Sequence, residues 1–368
     1  MSAAEEPSMK KLRMTSELQM NNCNFEDLPN EIFSNILDYM SIRDLIRCGQ
    51  TFRRLRFVVH DELLWKKVNL SNQTGGTLVS ARLFKLILEQ GCEHLNVSSQ
   101  IDGNLSINQF TKLKCLNIAW RYGIFDHAQF LRNAEVLVKL LCNSDLLEKL
   151  ELFYVNLDRL SVTSCAWNFK NLKVLRLSYC NRGYEKIQPL KLNFIQPIVD
   201  HCSELEELCF YKTCIEEDAI DYLVKNITPK LSKLSLYTMV LYTYLGDATV
   251  CFDKCIQVLA NRCTNLTELS LSGSGFTDDS MNYIVENLHS TLEKLSLIGT
   301  RIWITKLFEL KAMKKLNVLD FYSSVKVKTE ILKRFRKCHS HIQLCYDESN
   351  FAKPNWNCDN LSAFRSYN

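Results

Sequence analysis

Two kinds of apolar spacing alternate along most of this chain. The pattern L-x-x-L-x-L, with a few substitutions, recurs at intervals of about 25 to about 34 residues. Apolar and polar residues alternate in its second half, as they do in half-buried β-strands. The copies begin at Leu113, Leu147, Leu172, Leu205, Leu231, Leu266, Leu292 and Leu316, with degenerate ones at Trp65 and around Leu344.

Between these strand patterns lie segments with helical spacing, each with one apolar stripe at i, i+3, i+4 and i+7. The stripes comprise Ile195, Ile198, Val199 and Cys202; Ile220, Leu223, Val224 and Ile227; and Met281, Ile284, Val285 and Leu288. A repeated unit of strand and amphipathic helix can bury such stripes only by stacking on its neighbours. For residues 67–346 we therefore predict an α/β leucine-rich-repeat solenoid, curved, with parallel strands on the concave face and helices on the convex face.

Several of the sixteen cysteines follow the same period. Cys202 and Cys263 each precede the first leucine of the next strand by three residues, and Cys142 and Cys180 lie near similar corners. A small, weakly polar side chain suits a tight corner between helix and strand. The pattern resembles the cysteine-containing subclass of leucine-rich repeats, and we expect the cysteines to be reduced.

A metal site is the competing interpretation of the cysteines. Cys251 and Cys255 are four residues apart, and Cys338 lies near His339, His341 and Cys345. Neither group has paired C-x-x-C spacing, and Cys338 also fits a repeat corner. We predict no metal and no cofactor.

Residues 25–66 have a different pattern, that of several short helices. Ile32, Phe33, Ile36, Leu37 and Met40 cover more than half of the first helix, which is more than one buried face requires. Ser41 and Asp44 form an approximate capping box for a second helix, which Gly49 is expected to interrupt. The surplus apolar surface predicts contact with the helices of another protein.

The stretch "FEDLPNEIFSNILDYMSIRDLIRCGQTFRRLRFVVHDELLWKKVNLS" resembles an F-box, with an L-P-x-E-I start and an L-W end in order. Because repeats follow directly, the chain is similar to the F-box/leucine-rich-repeat family, in which a short all-helical F-box precedes the curved solenoid. The expected division is a disordered tail at 1–24, an F-box at 25–66, repeats at 67–346 and a C-terminal tail at 347–368. A free-standing helical cap for the solenoid is the alternative for the helical segment.

The resemblance implies a substrate receptor of a cullin–RING ubiquitin ligase, whose F-box docks on a Skp-type adaptor. Carried over by position, the adaptor-binding residues are Leu28, Pro29, Ile32, Ile36, Leu45 and Leu55. Many F-boxes have tryptophan where Leu55 stands and valine where Thr51 stands. The smaller Leu55 buries less area, so it is expected to weaken docking.

The positions between the strand leucines are expected to face the concave side, where a protein substrate would bind. The residues selected on this basis are Phe153, Arg176, Tyr179, Tyr211, Tyr237 and Tyr322. Tyrosine and arginine are enriched in the hot spots of protein interfaces. The alternative is that tyrosine occupies these positions because it favours β-strands.

The C-terminal repeats are basic, with "KAMKK" at 311–315 and "KRFRK" at 333–337. Lysine and arginine pair well with phosphate oxygens, so we hypothesise an acidic or phosphorylated substrate segment at this end. A solvated flank of the repeats is the alternative.

Composition narrows the functional classes. The chain has 368 residues, 46% of them hydrophobic, and a formal charge of +4. Its start, with paired glutamates and no apolar stretch, does not match a signal peptide, and no apolar run reaches the roughly 18 residues of a membrane helix. We expect a soluble protein in the cytoplasm, the nucleus or both.

No catalytic motif is present, neither a phosphate-binding glycine loop nor a G-x-S-x-G or H-E-x-x-H sequence, so the chain is expected to be no enzyme. Two other classes remain: a scaffold that binds the adaptor without directing turnover, and a nucleic-acid binder. The second needs a continuous basic concave surface. Glu151, Glu207, Glu268 and Asp320 are expected to interrupt it.

Overall fold

The chain divides into two compact units, residues 1–64 and residues 65–368, which are described separately. The computed structural model describes residues 28–37, 39–51, 56, 59, 61–70, 79–98, 101–102, 111–120, 127–157, 169–181, 188–237, 252–273, 275–322 and 329–345. The two tails, 1–24 and 347–368, therefore lie outside the described residues.

The first unit contains helices α1 (Asn30–Leu37) and α2 (Ile42–Thr51), and α3 (Glu62–Trp65) ends just beyond it. Of the expected capping box at the start of α2, the bond between the Asp44 N–H and the Ser41 side chain is present, whereas the Asp44 carboxylate bonds the Ser41 hydroxyl group. Ser41 Oγ accepts a hydrogen bond from Asp44 N at 3.2 Å and donates one to Asp44 Oδ2 at 2.6 Å. The Asp44 N–H is one of the first N–H groups of the helix, which have no partner within it, and the Ser41 side chain supplies its acceptor.

Gly49 does not interrupt α2, because the helix continues to Thr51. A Cβ atom at Gly49 would lie 3.4 Å from Cγ1 of Val59, whose side chain is buried. The glycine gives room for Val59 to pack against the helix. This tertiary contact is the reason that the predicted break is wrong.

The second unit is built on an eleven-stranded parallel sheet whose strands follow in chain order. Its strands are β1 (Lys67–Asn69), β3 (His94–Val97), β5 (Cys115–Ala119), β6 (Lys149–Phe153), β7 (Val174–Ser178), β8 (Glu207–Tyr211), β9 (Lys233–Leu236), β10 (Glu268–Ser272), β11 (Lys294–Ile298), β12 (Val318–Tyr322) and β13 (Gln343–Cys345). Two short strands, β2 (Val79–Ser80) and β4 (Ile101–Asp102), pair separately. Every predicted copy of the leucine pattern forms a strand.

Strand β3 is an additional copy that the pattern did not predict. Its sequence "CEHLNV" has Cys92 where the other copies have their first leucine. Cys92 is fully buried, and its Sγ lies 3.4 Å from His94 O. A buried cysteine can thus replace the leucine at this corner.

Helices connect the strands, because parallel strands need long crossovers. They are α4 (Ala81–Glu89), α5 (His127–Cys142), α6 (Leu192–His201), α7 (Glu217–Asn226), α8 (Asp253–Arg262), α9 (Asp278–Leu288), a 3₁₀ helix (Lys306–Ala312) and α10 (Thr329–Cys338). The predicted stripes are buried in α6, α7 and α9, except that Val285 is only half-buried. The leucine-rich-repeat architecture of strands and helices is therefore confirmed.

The corner role of the cysteines holds at α6 and α8, which end at buried Cys202 and Cys263. Burial raises the pKa of the Cys202 thiol to about 12, so the thiol stays protonated. Cys338 is exposed instead, and Cys251 lies outside the described residues. Within the described ranges, no three His, Cys, Asp or Glu side chains are grouped to hold a metal ion. The helices described here include none long and apolar enough to cross a membrane.

Candidate functional site

Helix α1 presents an exposed apolar edge. Ile32 and Ile36, one helical turn apart, are 43% and 40% exposed, whereas Leu37 is 1% exposed. Pro29 is also exposed, and its carbonyl accepts a hydrogen bond from Ile32 N at 3.1 Å. The helix thus has one buried apolar face and a second one open to solvent, as its sequence predicted.

The other residues predicted to bind the adaptor lie in different environments. Leu28 is half-buried, and Leu45 on α2 is buried, so its side chain packs inside the chain. Leu55 lies outside the described residues. Thr51 donates from Oγ1 to Cys48 O at 2.8 Å, which satisfies a carbonyl in the last turn of α2.

On the second unit, aromatic side chains gather where four neighbouring strands end. We call Phe153, Tyr154, Tyr179, Tyr211 and Tyr237 the aromatic row. The ring centroids of Tyr154 and Tyr179 are 4.8 Å apart, those of Tyr179 and Tyr211 5.4 Å, and those of Tyr211 and Tyr237 4.9 Å. Phe153 lies edge-on to Tyr179 at 5.1 Å. The rings therefore hold one another in place across strands β6 to β9.

The backbone that carries this row is strained. Tyr154, Tyr179 and Lys212 each follow directly after a strand, and their φ angles are 57°, 53° and 50°. The equivalent positions after β10 and β11 are Gly273 and Gly299, with φ of 99° and 67°. The left-handed region costs a residue with a Cβ about 1–2 kcal/mol, whereas glycine adopts it at little cost.

Each of these strained turns is also held by a hydrogen bond to the next strand. Tyr179 N donates to Tyr211 O at 2.8 Å, and Lys212 N donates to Tyr237 O at 2.6 Å. Within the described part of the chain, only repeats of the aromatic row hold a side chain in the left-handed region at this position. Strain that persists where glycine would remove it points to a functional role for those side chains.

Lys212 adds a cation to the aromatic row. Its Nζ lies 5.3 Å from the ring centroid of Tyr179 and 5.6 Å from that of Tyr211, within cation–π range. Burial raises the pKa of the Tyr237 phenol, so its hydroxyl remains a hydrogen-bond donor at neutral pH. The row therefore combines apolar faces, hydroxyl groups and one ammonium group.

Arg176 does not belong to this row, although the sequence grouped it with the tyrosines. It lies opposite Glu151 and Cys209, whereas Phe153 and Tyr211 flank Ser178, two residues further along β7. Its Nη1 lies 2.7 Å from Glu151 Oε1, and its Nε lies 2.5 Å from Glu207 Oε1. The guanidinium is therefore held by two carboxylates.

Tyr322 is also separate from the aromatic row. It ends β12 opposite Ile298, three strands away from β9 in the sheet. Two residues earlier lies Asp320, whose pKa burial raises to about 6. The predicted substrate-binding residues therefore lie at three places on the strand face: the aromatic row, Arg176 and Tyr322.

Charges on the strand face are largely paired within the described part of the chain. Glu268 accepts ion pairs from Lys233 at 2.9 Å and from Lys294 at 3.2 Å. Together with the two carboxylates around Arg176, these pairs interrupt any continuous basic surface. The described strand face consequently lacks the electrostatic pattern that a nucleic-acid binder needs.

The basic segments of the C-terminal repeats are exposed. Lys311, Lys314 and Lys315 lie in or after the 3₁₀ helix, and α10 carries Lys333 and Arg334. From residue 301 to residue 345 there are eleven lysines and arginines but three acidic residues, a net charge of +8. The charge of this end is therefore more positive than the +4 of the whole chain.

Comparison with known proteins identifies the first unit. Residues 25–71 match the model of the F-box-like family. The chain carries an F-box-like domain. This domain contains the exposed edge of α1, and the leucine-rich repeats follow it.

The solved structures that this chain matches are only distantly similar to it. A protein from Bacteroides fragilis is 18% identical over 66% of this chain and 67% of its own, with a TM-score of 0.36. An internalin from Listeria monocytogenes is 12% identical over 65% of this chain and 81% of its own, with a TM-score of 0.28. The leucine-rich-repeat assignment rests on the parallel strands and the period of the leucines.

The strain at the aromatic row can be measured. At position 179, glycine is expected to stabilise the protein by about 1 kcal/mol more than alanine, because only alanine has a Cβ in the left-handed region. Urea unfolding of Tyr179→Gly and Tyr179→Ala gives this difference directly. The same pair of substitutions at Lys233, the first residue of β9, should show the usual opposite order. If the free energy of unfolding of Tyr179→Ala equals or exceeds that of Tyr179→Gly, the backbone at position 179 is not strained.

Proposed function

We propose that this protein is the substrate-recognition subunit of an SCF-type ubiquitin ligase. Its F-box-like domain binds a Skp-type adaptor and, through it, a cullin–RING ligase, and its strand face binds a protein substrate. The other subunits carry out ubiquitin transfer, and this chain contributes proximity. The observation that carries the proposal is an F-box-like domain on the same chain as a strained, clustered aromatic row.

The adaptor surface of the proposal is centred on α1. Pro29, Ile32 and Ile36 supply exposed apolar area, with Leu28 at its border. An exposed apolar stripe on a helix fits a groove between the helices of a partner. Leu45 supports this surface from inside, and Leu55 belongs to it by its position in the F-box sequence.

The substrate surface of the proposal is the aromatic row with Lys212. Tyrosine side chains supply large contact area with few rotatable bonds, and these rings are already fixed by their neighbours. Little conformational entropy is therefore lost when a substrate binds. Arg176 and Tyr322 lie at the flanks, and the basic C-terminal repeats favour a substrate with acidic or phosphorylated segments.

The proposal is tested by protein turnover in cells that lack this chain. Substrates should have half-lives at least twofold longer there, and the wild-type chain should restore them. Tyr154→Gly/Tyr179→Gly should not restore them, although glycine suits the backbone at both positions. Trp303→Ser removes an aromatic side chain that is 66% exposed but lies outside the row, so it is the matched control.

Three outcomes separate the classes of function. Turnover restored by Trp303→Ser but not by the double glycine variant supports a receptor that uses the aromatic row. Equal restoration by both variants would remove the row from the proposal. If the chain binds the adaptor but no half-life changes, the protein is a scaffold and the ligase function is wrong.

A further inference from the structure

Three asparagines lie side by side on the first three strands of the eleven-stranded sheet. Asn69 on β1 pairs in register with Asn96 on β3, which pairs with Asn117 on β5. We call these three residues the asparagine row. On β6 the same position is Glu151. The asparagine row therefore lies on the same face of the sheet as the aromatic row, on the three strands that precede β6 in the sheet.

A cavity of about 520 Å³ opens over these strands. Besides the asparagine row, its polar lining includes Lys67, His94 and Glu151. Its volume falls within the range of about 300–1,000 Å³ that is usual for ligand sites. The site is thus large enough for a short peptide segment and is lined by groups that form hydrogen bonds.

The central asparagine of the row has an unsatisfied carboxamide oxygen. Asn96 Oδ1 is buried and has no hydrogen-bond partner among the described residues. A buried polar atom without a partner destabilises the fold, and asparagine is also disfavoured in β-strands. Asn96 therefore brings a cost that folding alone does not explain.

We propose that the asparagine row binds the main chain of an extended peptide segment of the substrate. A carboxamide offers a donor and an acceptor side by side, as a peptide bond does. Three neighbouring strands span about 10 Å from the first to the third, the length of about three extended residues. This inference rests on the proposed function, and it adds that the substrate presents an unfolded segment.

The charges around the cavity define the preferred side chain of that segment. Lys149 Nζ lies 3.2 Å from Glu151 Oε1, so this lysine is already paired. Lys67 is exposed and has no ion pair among the described residues, and it lies at the β1 end of the row. An acidic residue of the segment fits beside Lys67, with small residues across the asparagines.

The probe is the capped peptide acetyl-Asp-Ala-Ala-Ala-amide, added to the full chain with its asparagines labelled with ¹⁵N. Saturable shifts of the side-chain amide signals of Asn96 and Asn117 are expected, and the signal of exposed Asn265 should not move. The same peptide with N-methylated alanines lacks the N–H donors of its three alanines. It should bind at least tenfold more weakly.

Substitutions separate main-chain binding from a defect in folding. Asn117→Leu removes the donor and the acceptor at similar size without adding a charge, and it should weaken binding of the peptide at least tenfold, whereas Asn265→Leu should not. Unchanged thermal unfolding of Asn117→Leu excludes a folding defect. Equal binding of the N-methylated peptide, or no shift with either peptide, would overturn this inference. Neither result bears on the proposed function, which the turnover of substrates decides separately.

Discussion

Replacing Ile32 and Ile36 with aspartate is expected to lower the affinity for the Skp-type adaptor roughly 100-fold or more. Burying a fully exposed isoleucine side chain contributes about 1.5–3 kcal/mol, and these two, 43% and 40% exposed in the free chain, can each gain roughly half of that on docking. An aspartate at the same place must also lose its hydration, which adds to the cost. Titration calorimetry with purified adaptor measures the loss.

The stability of the free chain should hardly change, because both isoleucines face solvent. Substitutions on exposed surfaces usually shift the free energy of unfolding by less than about 0.5 kcal/mol. Tyr39→Asp is the matched control, since Tyr39 is 93% exposed and follows the end of α1. It should bind the adaptor as the wild type does.

Two results would contradict the adaptor surface on α1. Full binding by Ile32→Asp/Ile36→Asp would show that the exposed edge has another partner. No binding by the wild type would show that the departures at Leu55 and Thr51 remove the interaction. The helical segment would then be a cap of the solenoid.

The strands and helices were predictable because buried apolar positions recur at regular intervals along the chain. Each strand leucine must be shielded from water, so the period of the leucines determines both the strands and their register. Strand β3 was missed because Cys92 takes the place of a leucine, and a search for leucines cannot detect a buried thiol. The break at Gly49 was wrong because the contact with Val59 joins residues that no local pattern relates.

The strand face was predicted less well, because its residues are not selected by burial alone. The copies "LSLSG" and "LSLIG" have glycine where "LELFY" and "LRLSY" have tyrosine, so aligning them would have indicated the strained position. Arg176 was grouped with the tyrosines by residue type, and its register places it two residues earlier along the same face of β7. Asn96 escaped attention because it belongs to the copy that begins at Cys92.

Replacing Arg176 with methionine is expected to lower the free energy of unfolding by about 3 kcal/mol. The guanidinium lies between the carboxylates of Glu151 and Glu207, whose side chains are 12% and 14% exposed. Removing it leaves the mostly buried carboxylate of Glu207 without its ion pair and leaves Glu151 with Lys149 alone, at 3.2 Å. Urea unfolding at neutral pH measures the change.

A triple variant tests whether the two carboxylates are the cause. Arg176→Met/Glu151→Gln/Glu207→Gln removes the guanidinium together with both carboxylates and leaves only the half-exposed Lys149, so it should recover most of the stability. Lys225→Met is the matched control, because its pair with Asp221 at 2.6 Å is exposed and should contribute less than about 1 kcal/mol. If Arg176→Met costs no more than this control, the guanidinium is a surface group and can contact substrate directly. A large loss that the triple variant recovers means instead that Arg176 supports the strand face beneath the aromatic row.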